Sequence, residues 1–180
     1  LEVLQMEQML TTGGGWQDPI GGLVGGVKYI ETEPGLKPRP SIHPLDPHLF
    51  QDPEPSACFT LFYTGRTRLA KNILQEVVAR VNGMEPAYLF TLRGLKELAH
   101  EGREAILARS IPRLAAVLDR SWRSNKLIHP ATTNADIEAL RTDLKGLYLG
   151  MKLLGAGGGG YALFLSESPA QAERLRRRLQ

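Results

Sequence analysis

The sequence predicts an α+β fold, and three observations carry that prediction. Short β-prone runs bracket a long central stretch of helical periodicity. Two clusters of glycine interrupt the chain, one near each end. Seven of the twelve prolines fall in one segment, between Pro34 and Pro55. Apolar residues at three- and four-residue spacing mark helices, alternation marks strands, and glycine or proline marks where either stops.

Taken in order, Leu1 to Leu10 is a short helical run that ends at glycines 13–15. The stretch TTGGGWQDPIGG, residues 11–22, then sets one Trp and one carboxylate among glycines, which suit places where the backbone takes positive φ or lets another group come close. Val27 to Glu31 alternates as a strand does. The proline density over 34–56 reads as an extended, non-helical crossing with a short edge strand around Ser41 to Leu45. Ala57 to Thr64 is strongly β-prone and reads as a buried strand ending at Gly65.

Four helices are expected next. Leu69, Ile73, Leu74, Val77, Val78 and Val81 form one stripe, closed by Asn82-Gly83, and a second helix runs from about Ala87 to Leu107. Pro112 stands where a first helical turn tolerates proline, with Leu114, Val117, Leu118 and Trp122 following at helical spacing. Asn134 is placed to cap a helix that buries Ile137, Leu140 and Leu144. A second glycine cluster, Gly155-Ala156-Gly157-Gly158-Gly159-Gly160, leads into a strand at Tyr161 to Leu165 and a last helix from Pro169. The stretches are therefore read as 1–33, 34–56 and 57–180.

Composition narrows the function classes. With 42% apolar and 23% charged residues in 180, the chain is an ordinary globular sequence and neither disordered nor collagen-like. The net charge of +3 is concentrated in part at Arg174, Arg176, Arg177 and Arg178, which read as a solvated helix face rather than a nucleic-acid surface. Cys58 between Ala57 and Phe59 reads as a buried thiol, which fits a reducing, cytoplasmic setting. No run of about 18 apolar residues points to a membrane. The four histidines, His43, His48, His100 and His129, lack ligand spacing, so no transition-metal site is assigned. A start at Leu1 inside a helical pattern reads as a piece of something longer.

The second cluster satisfies Gly-x-Gly-x-x-Gly as letters, but that fingerprint opens a helix, and here a strand follows. No Gly-Lys-Ser/Thr closes either cluster as a Walker loop requires. Two readings stand: a ligand-apposed loop whose bare amides form an anion-binding concavity, or glycines required by hairpin geometry and packing.

Three motifs in this order carry a resemblance. Gly13 to Asp18, then Tyr63-Thr64-Gly65-Arg66-Thr67-Arg68-Leu69-Ala70-Lys71, then Lys152 to Tyr161 together resemble the C-terminal half of a GHMP-type small-molecule kinase, in its fucokinase and heptose-kinase branch. The resemblance covers nearly the whole chain. It implies a remnant of the N-terminal kinase subdomain over 1–33, the crossing over 34–56, and a ferredoxin-like C-terminal subdomain with several helices over 57–180.

It also implies a chemistry. Phosphoryl transfer from ATP to a sugar hydroxyl needs an in-line nucleophile, neutralised phosphate charge and a carboxylate for the hydroxyl proton. The resemblance gives that catalytic role to Asp18. It gives Mg²⁺ ligation to Glu7, eleven residues upstream, since Mg²⁺ commonly takes one or two carboxylates plus substrate phosphates. Gly14, Gly15, Trp16 and Arg68 would meet the sugar, and Gly155, Gly157, Gly158, Gly159 and Gly160 the ATP phosphates. Lys71 and Lys152 are further candidates for an anion. Each has a plainer reading: Asp18 before Pro19 as a turn former, Glu7, Arg68, Lys71 and Lys152 as surface charges, Trp16 as core. Trp122 with Lys126 and Pro130 resembles the branch's Trp-x-x-x-Lys helix, a packing feature.

The resemblance implies L-fucose as acceptor, with a heptose phosphate as the alternative, and as partners the remaining half of the kinase module and a fused nucleotidyltransferase domain. The family's Pro-x-x-x-Gly-Leu-x-Ser-Ser-Ala nucleotide loop is not found in these residues, so the isolated chain is expected to be inactive. A sugar-binding domain without catalysis is the competing class.

Overall fold

The computed structural model describes residues 16–33, 39–66, 71–155 and 157–180. The chain divides into two compact units, Leu1–Pro47 and His48–Gln180.

In the first unit, helix α1 (Gln17–Leu23) precedes an antiparallel pair, β1 (Lys28–Thr32) and β2 (Pro40–Pro44), with Lys28 opposite Pro44 and Thr32 opposite Pro40. Prolines at both ends of β2 suit a strand that does not donate along its whole length. The reading of Asp18 before Pro19 as a turn former is corrected here. Asp18 is the second residue of α1 and Pro19 the third, where a missing N–H is tolerated because the first turn has no intrahelical acceptor for it. Pro19 and Ile20 form the buried side of this helix.

The second unit runs α2 (His48–Gln51), α3 (Pro53–Ser56), β3 (Phe59–Tyr63), α4 (Lys71–Asn82), α5 (Pro86–Leu107), α6 (Ile111–Ile128), a 3-10 turn (Pro130–Thr132), α7 (Ala135–Asp143), β4 (Gly150–Leu153), β5 (Tyr161–Leu165) and α8 (Pro169–Leu179). Helices α2 and α3 overturn the reading of 34–56 as non-helical. Pro53 opens α3 at a position that suits proline, and one turn is too short to need the bonds proline withholds. Side chains cap three of the later helices: Ser110 accepts from the Arg113 N–H, Asn134 from the Ile137 N–H and Ser168 from the Gln171 N–H.

The three strands are ordered β3-β5-β4, with Tyr63 opposite Tyr161 and Met151 opposite Phe164. Both outer strands are antiparallel to β5, so β3 and β4 run parallel with β5 between them. This split β-α-β unit, followed by β5 and α8, follows the ferredoxin-like order. Strand β4 was not anticipated. It makes the second glycine cluster the connection of a hairpin.

One face of the sheet packs Met151, Leu153, Ala162 and Phe164 against Trp122 of α6, Ile137 of α7, Leu144 and Leu175 of α8. The other places Leu165 with Ala105 of α5, Ile111, Leu114 and Ala115 of α6, Leu49 and Cys58. Gly150 explains how α6 comes so near: a Cβ there would lie 2.0 Å from the Ala115 carbonyl oxygen. Cys58 is buried, as expected. β3 is not the buried strand the sequence suggested. It lies at an edge of the sheet, only Thr60 is buried, and Leu61 is 58% exposed. No helix among the described residues is long and apolar enough to cross a membrane.

Candidate phosphate and sugar site

Asp18 is exposed in the first turn of α1, with Trp16 half-buried just before it. An acid at that position is favoured by the unpaired N–H groups of a helix start. Glu7, Gly14, Gly15 and Arg68 lie outside the described residues. Lys71 is the first residue of α4.

The 155–160 loop joins β4 to β5, and Gly155, Gly157, Gly158 and Gly160 all take positive φ. Much of the need for glycine comes from the protein's own backbone. A Cβ on Gly157 would sit 2.5 Å from the Thr132 carbonyl oxygen, and one on Gly159 2.7 Å from that of Arg66. The N–H groups of Gly158 and Gly160 donate to these same two carbonyls, at 2.5 and 2.7 Å. Two loop amides are thus engaged inside the protein, and an anion resting here would draw on others. Around Gly155 a Cβ would meet nothing within 4 Å.

The loop is clamped from both sides. After β3, the Thr64 N–H and hydroxyl both donate to the Gly160 carbonyl at 2.9 Å. Gly65 follows with φ 73° and Arg66 forms an exposed ion pair with Asp136. On the other side, Asn134 donates through Nδ2 to the Gly158 carbonyl at 3.1 Å while its Oδ1 accepts from Ile137 N–H. The 3-10 turn that carries Thr132 is itself fixed: the His129 Nδ1 accepts from the Ala131 N–H, so Nε2 carries the proton and donates to Glu76 of α4 at 2.7 Å.

Sequence reading missed Thr132 and the second role of Asn134, because residues distant in sequence give no local pattern that announces them. It also passed over the Tyr63 and Tyr161 pair. Their rings are tilted by 46° with centroids 5.2 Å apart, and both are nearly half exposed, where β3 runs into the Gly65 turn and the glycine loop runs into β5. Aromatic residues at facing strand ends were the available signal. Trp122 is buried, with the Lys126 ammonium 5.9 Å from its ring, in keeping with the packing role.

Lys152 is neither a loose surface charge nor aimed at the described loop amides. It is half-buried and its ammonium donates to the buried Ser121 hydroxyl of α6 at 2.8 Å. Burial pushes its pKa below the ordinary lysine value. Between that lowered value and the unfolded value of about 10.4 the unfolded chain binds more protons, so stability rises with pH across this window. A Lys152→Met variant is expected to lack that rise, so its stability relative to the parent falls as pH climbs toward the unfolded value. Urea denaturation between neutral and alkaline pH measures this.

No protein-family model matches the chain. It is 40% identical over 174 residues to an L-fucokinase/L-fucose-1-P guanylyltransferase of Bacteroides fragilis, covering 97% of this chain and 18% of that protein. It is 35% identical over 180 residues to a bifunctional fucokinase/GDP-fucose pyrophosphorylase of Arabidopsis thaliana, covering 99% and 17%. A D-glycero-alpha-D-manno-heptose 7-phosphate kinase of Campylobacter jejuni is 30% identical over 154 residues, covering 84% of this chain and 44% of the other. The chain therefore spans less than a fifth of the length of the two fucokinase relatives. Its fold matches a crystal structure of L. major mevalonate kinase with R-mevalonate at a TM-score of 0.70 and 18% identity, over 87% of this chain and 45% of that one. Over nearly all of its residues the chain is therefore similar in sequence to proteins named as fucokinases and to a heptose kinase, on a fold that matches that of mevalonate kinase.

Proposed function

We propose that the chain is part of an ATP-dependent sugar 1-kinase that transfers the γ-phosphoryl group to the anomeric hydroxyl of L-fucose. The observation that carries this reading is the likeness to an L-fucokinase over 97% of the chain. An exposed carboxylate on a helix start and a backbone-moulded glycine hairpin are chemically consistent with it. Asp18 orients the acceptor hydroxyl and takes its proton, with Gly14, Gly15, Trp16 and Arg68 around the sugar. Glu7 would hold Mg²⁺, which neutralises phosphate charge when bound. Gly155, Gly157 and Gly159 are the loop positions whose amides face no described carbonyl partner, and they would meet phosphate oxygens. Sugar and phosphate sites are completed by the rest of the parent protein, and the relatives' names suggest a fused guanylyltransferase domain as a further partner.

The test is an assay of the natural-length parent with ATP and a sugar panel, with and without Asp18→Asn. Loss of the proton acceptor is expected to lower kcat by about 10²–10⁴-fold. Unchanged turnover would remove Asp18 from the reaction. A heptose 7-phosphate acceptor is the second reading, favoured by the match over 84% of the chain to a heptose kinase. Turnover of the heptose phosphate but not of fucose would decide for it.

A further inference from the structure

We propose that Asn134 is a positioning residue that couples the start of α7 to the conformation of the glycine hairpin. This rests on the reading of that hairpin as part of the kinase's phosphate site. Asn134 serves two partners of opposite kind at once: the Ile137 N–H, which needs an acceptor, and the Gly158 carbonyl, which needs a donor, each at 3.1 Å. Asn, Asp and Ser cap helices about equally well. Among them, only the primary amide offers an acceptor and a donor on separate atoms. The cap alone would not explain the choice.

The bond also falls at a sensitive point. Gly158 is buried, its N–H is held by the Thr132 carbonyl, and its own carbonyl is held by Asn134, so both sides of one residue are tied to the segment between α6 and α7. Gly157, one residue earlier, is pressed on Thr132 too closely for any Cβ. Releasing Asn134 leaves Gly158 tied only through its N–H to Thr132, while Arg66 and Thr64 still hold Gly160, so the amides at 157 and 159 beside Gly158 lose part of their fixed direction. A phosphate site depends on where amides point, so the effect should appear in turnover before it appears in stability.

Asn134→Ser and Asn134→Asp both keep the cap and both remove the amide donor, Asp because its carboxylate has no hydrogen to give and Ser because its single hydroxyl ends one bond short of Nδ2; the serine variant adds no charge. In the natural-length protein, hydrogen exchange followed by mass spectrometry is expected to speed up by about fivefold or more over 157–161 in both variants, while 137–143 exchanges as in the parent. Thermal midpoints should stay close to the parent's. With ATP and the sugar that the parent turns over, kcat is expected to fall about ten- to hundredfold with the sugar KM within about twofold. Unchanged loop exchange in both variants would overturn the coupling, whatever the enzyme does. Faster loop exchange with unaltered kcat would show that Asn134 holds the hairpin but does not serve the reaction. A parent inactive on every sugar would remove the kinase reading itself, and the exchange measurement would still judge the coupling.

Discussion

Trp122→Ala is expected to destabilise the second unit by about 3–5 kcal/mol. Trp122 is fully buried among Ile137, Leu144, Met151, Leu153, Ala162, Phe164 and Leu175, so truncation removes the ring that joins α6 to both the sheet and α7. The loss cannot be healed by collapse, because Gly150 already brings the β4 backbone against Ala115 on the same helix. Trp122→Phe provides the graded control. The indole N–H is buried and bonds to no described residue, so losing it sacrifices no described hydrogen bond. The phenylalanine variant should therefore lose less than half as much. Urea unfolding at neutral pH compares the two, and a Phe variant as weak as the Ala variant would argue that the N–H has a partner.

Gly157→Ala is expected to disable the candidate phosphate site, while Gly155→Ala does so far less. Both take positive φ, 86° and 70°, so both substitutions carry a conformational penalty of about 1–2 kcal/mol. They differ in what the new methyl group meets. At 155 it meets open space; at 157 it meets the Thr132 carbonyl oxygen at 2.5 Å, its Cγ2 at 2.6 Å and its Cα at 2.9 Å. Thr132 cannot retreat freely, because the turn that carries it is bonded to His129 and, through His129, to Glu76. The loop must move instead, and with it the Gly158 and Gly160 amides. Turnover of the natural-length protein should fall about 10²-fold or more for Gly157→Ala, against less than about tenfold for Gly155→Ala. Equal losses would mean that φ alone, not contact with Thr132, sets the requirement.

How far the sequence disclosed this arrangement depends on how local each determinant is. Helices α4 to α8 were legible because their apolar stripes, the Asn134 cap and the prolines at 112 and 169 all lie within a few residues of what they specify. Strand β4 was not: Met151, Lys152 and Leu153 do alternate, but a strand of four residues is too short for that alternation to stand out from the sequence around it. The short helices α2 and α3 were hidden by treating proline as a helix breaker at positions where a first turn accepts it. The exposure of β3 could not be read from its composition, since an edge strand and a buried one share β-branched and aromatic residues. The glycine hairpin shows the limit most clearly. Five glycines in six residues announced a special backbone, but the part of that requirement set by the protein itself comes from Thr132 and Arg66, which no spacing rule connects to it. Asp18 sat among glycines that suggested a loop, and the structure puts it on a helix.

The placement of β5 between β3 and β4 bears on how the protein comes into being. The hydrogen bond from the Thr64 hydroxyl to the Gly160 carbonyl closes a separation of 96 residues. During synthesis β3 leaves the ribosome with Phe59, Leu61 and Tyr63 long before its pairing strand exists, while α5 and α6 can already dock on each other as sequence neighbours. The helical hairpin is thus the natural nucleus and the β3–β5 seam the late event, set by the entropy of closing so long a loop. Until that seam forms, β3 offers an apolar, hydrogen-bond-hungry margin to any other nascent chain, and crowding of unfinished chains is where its yield would be lost.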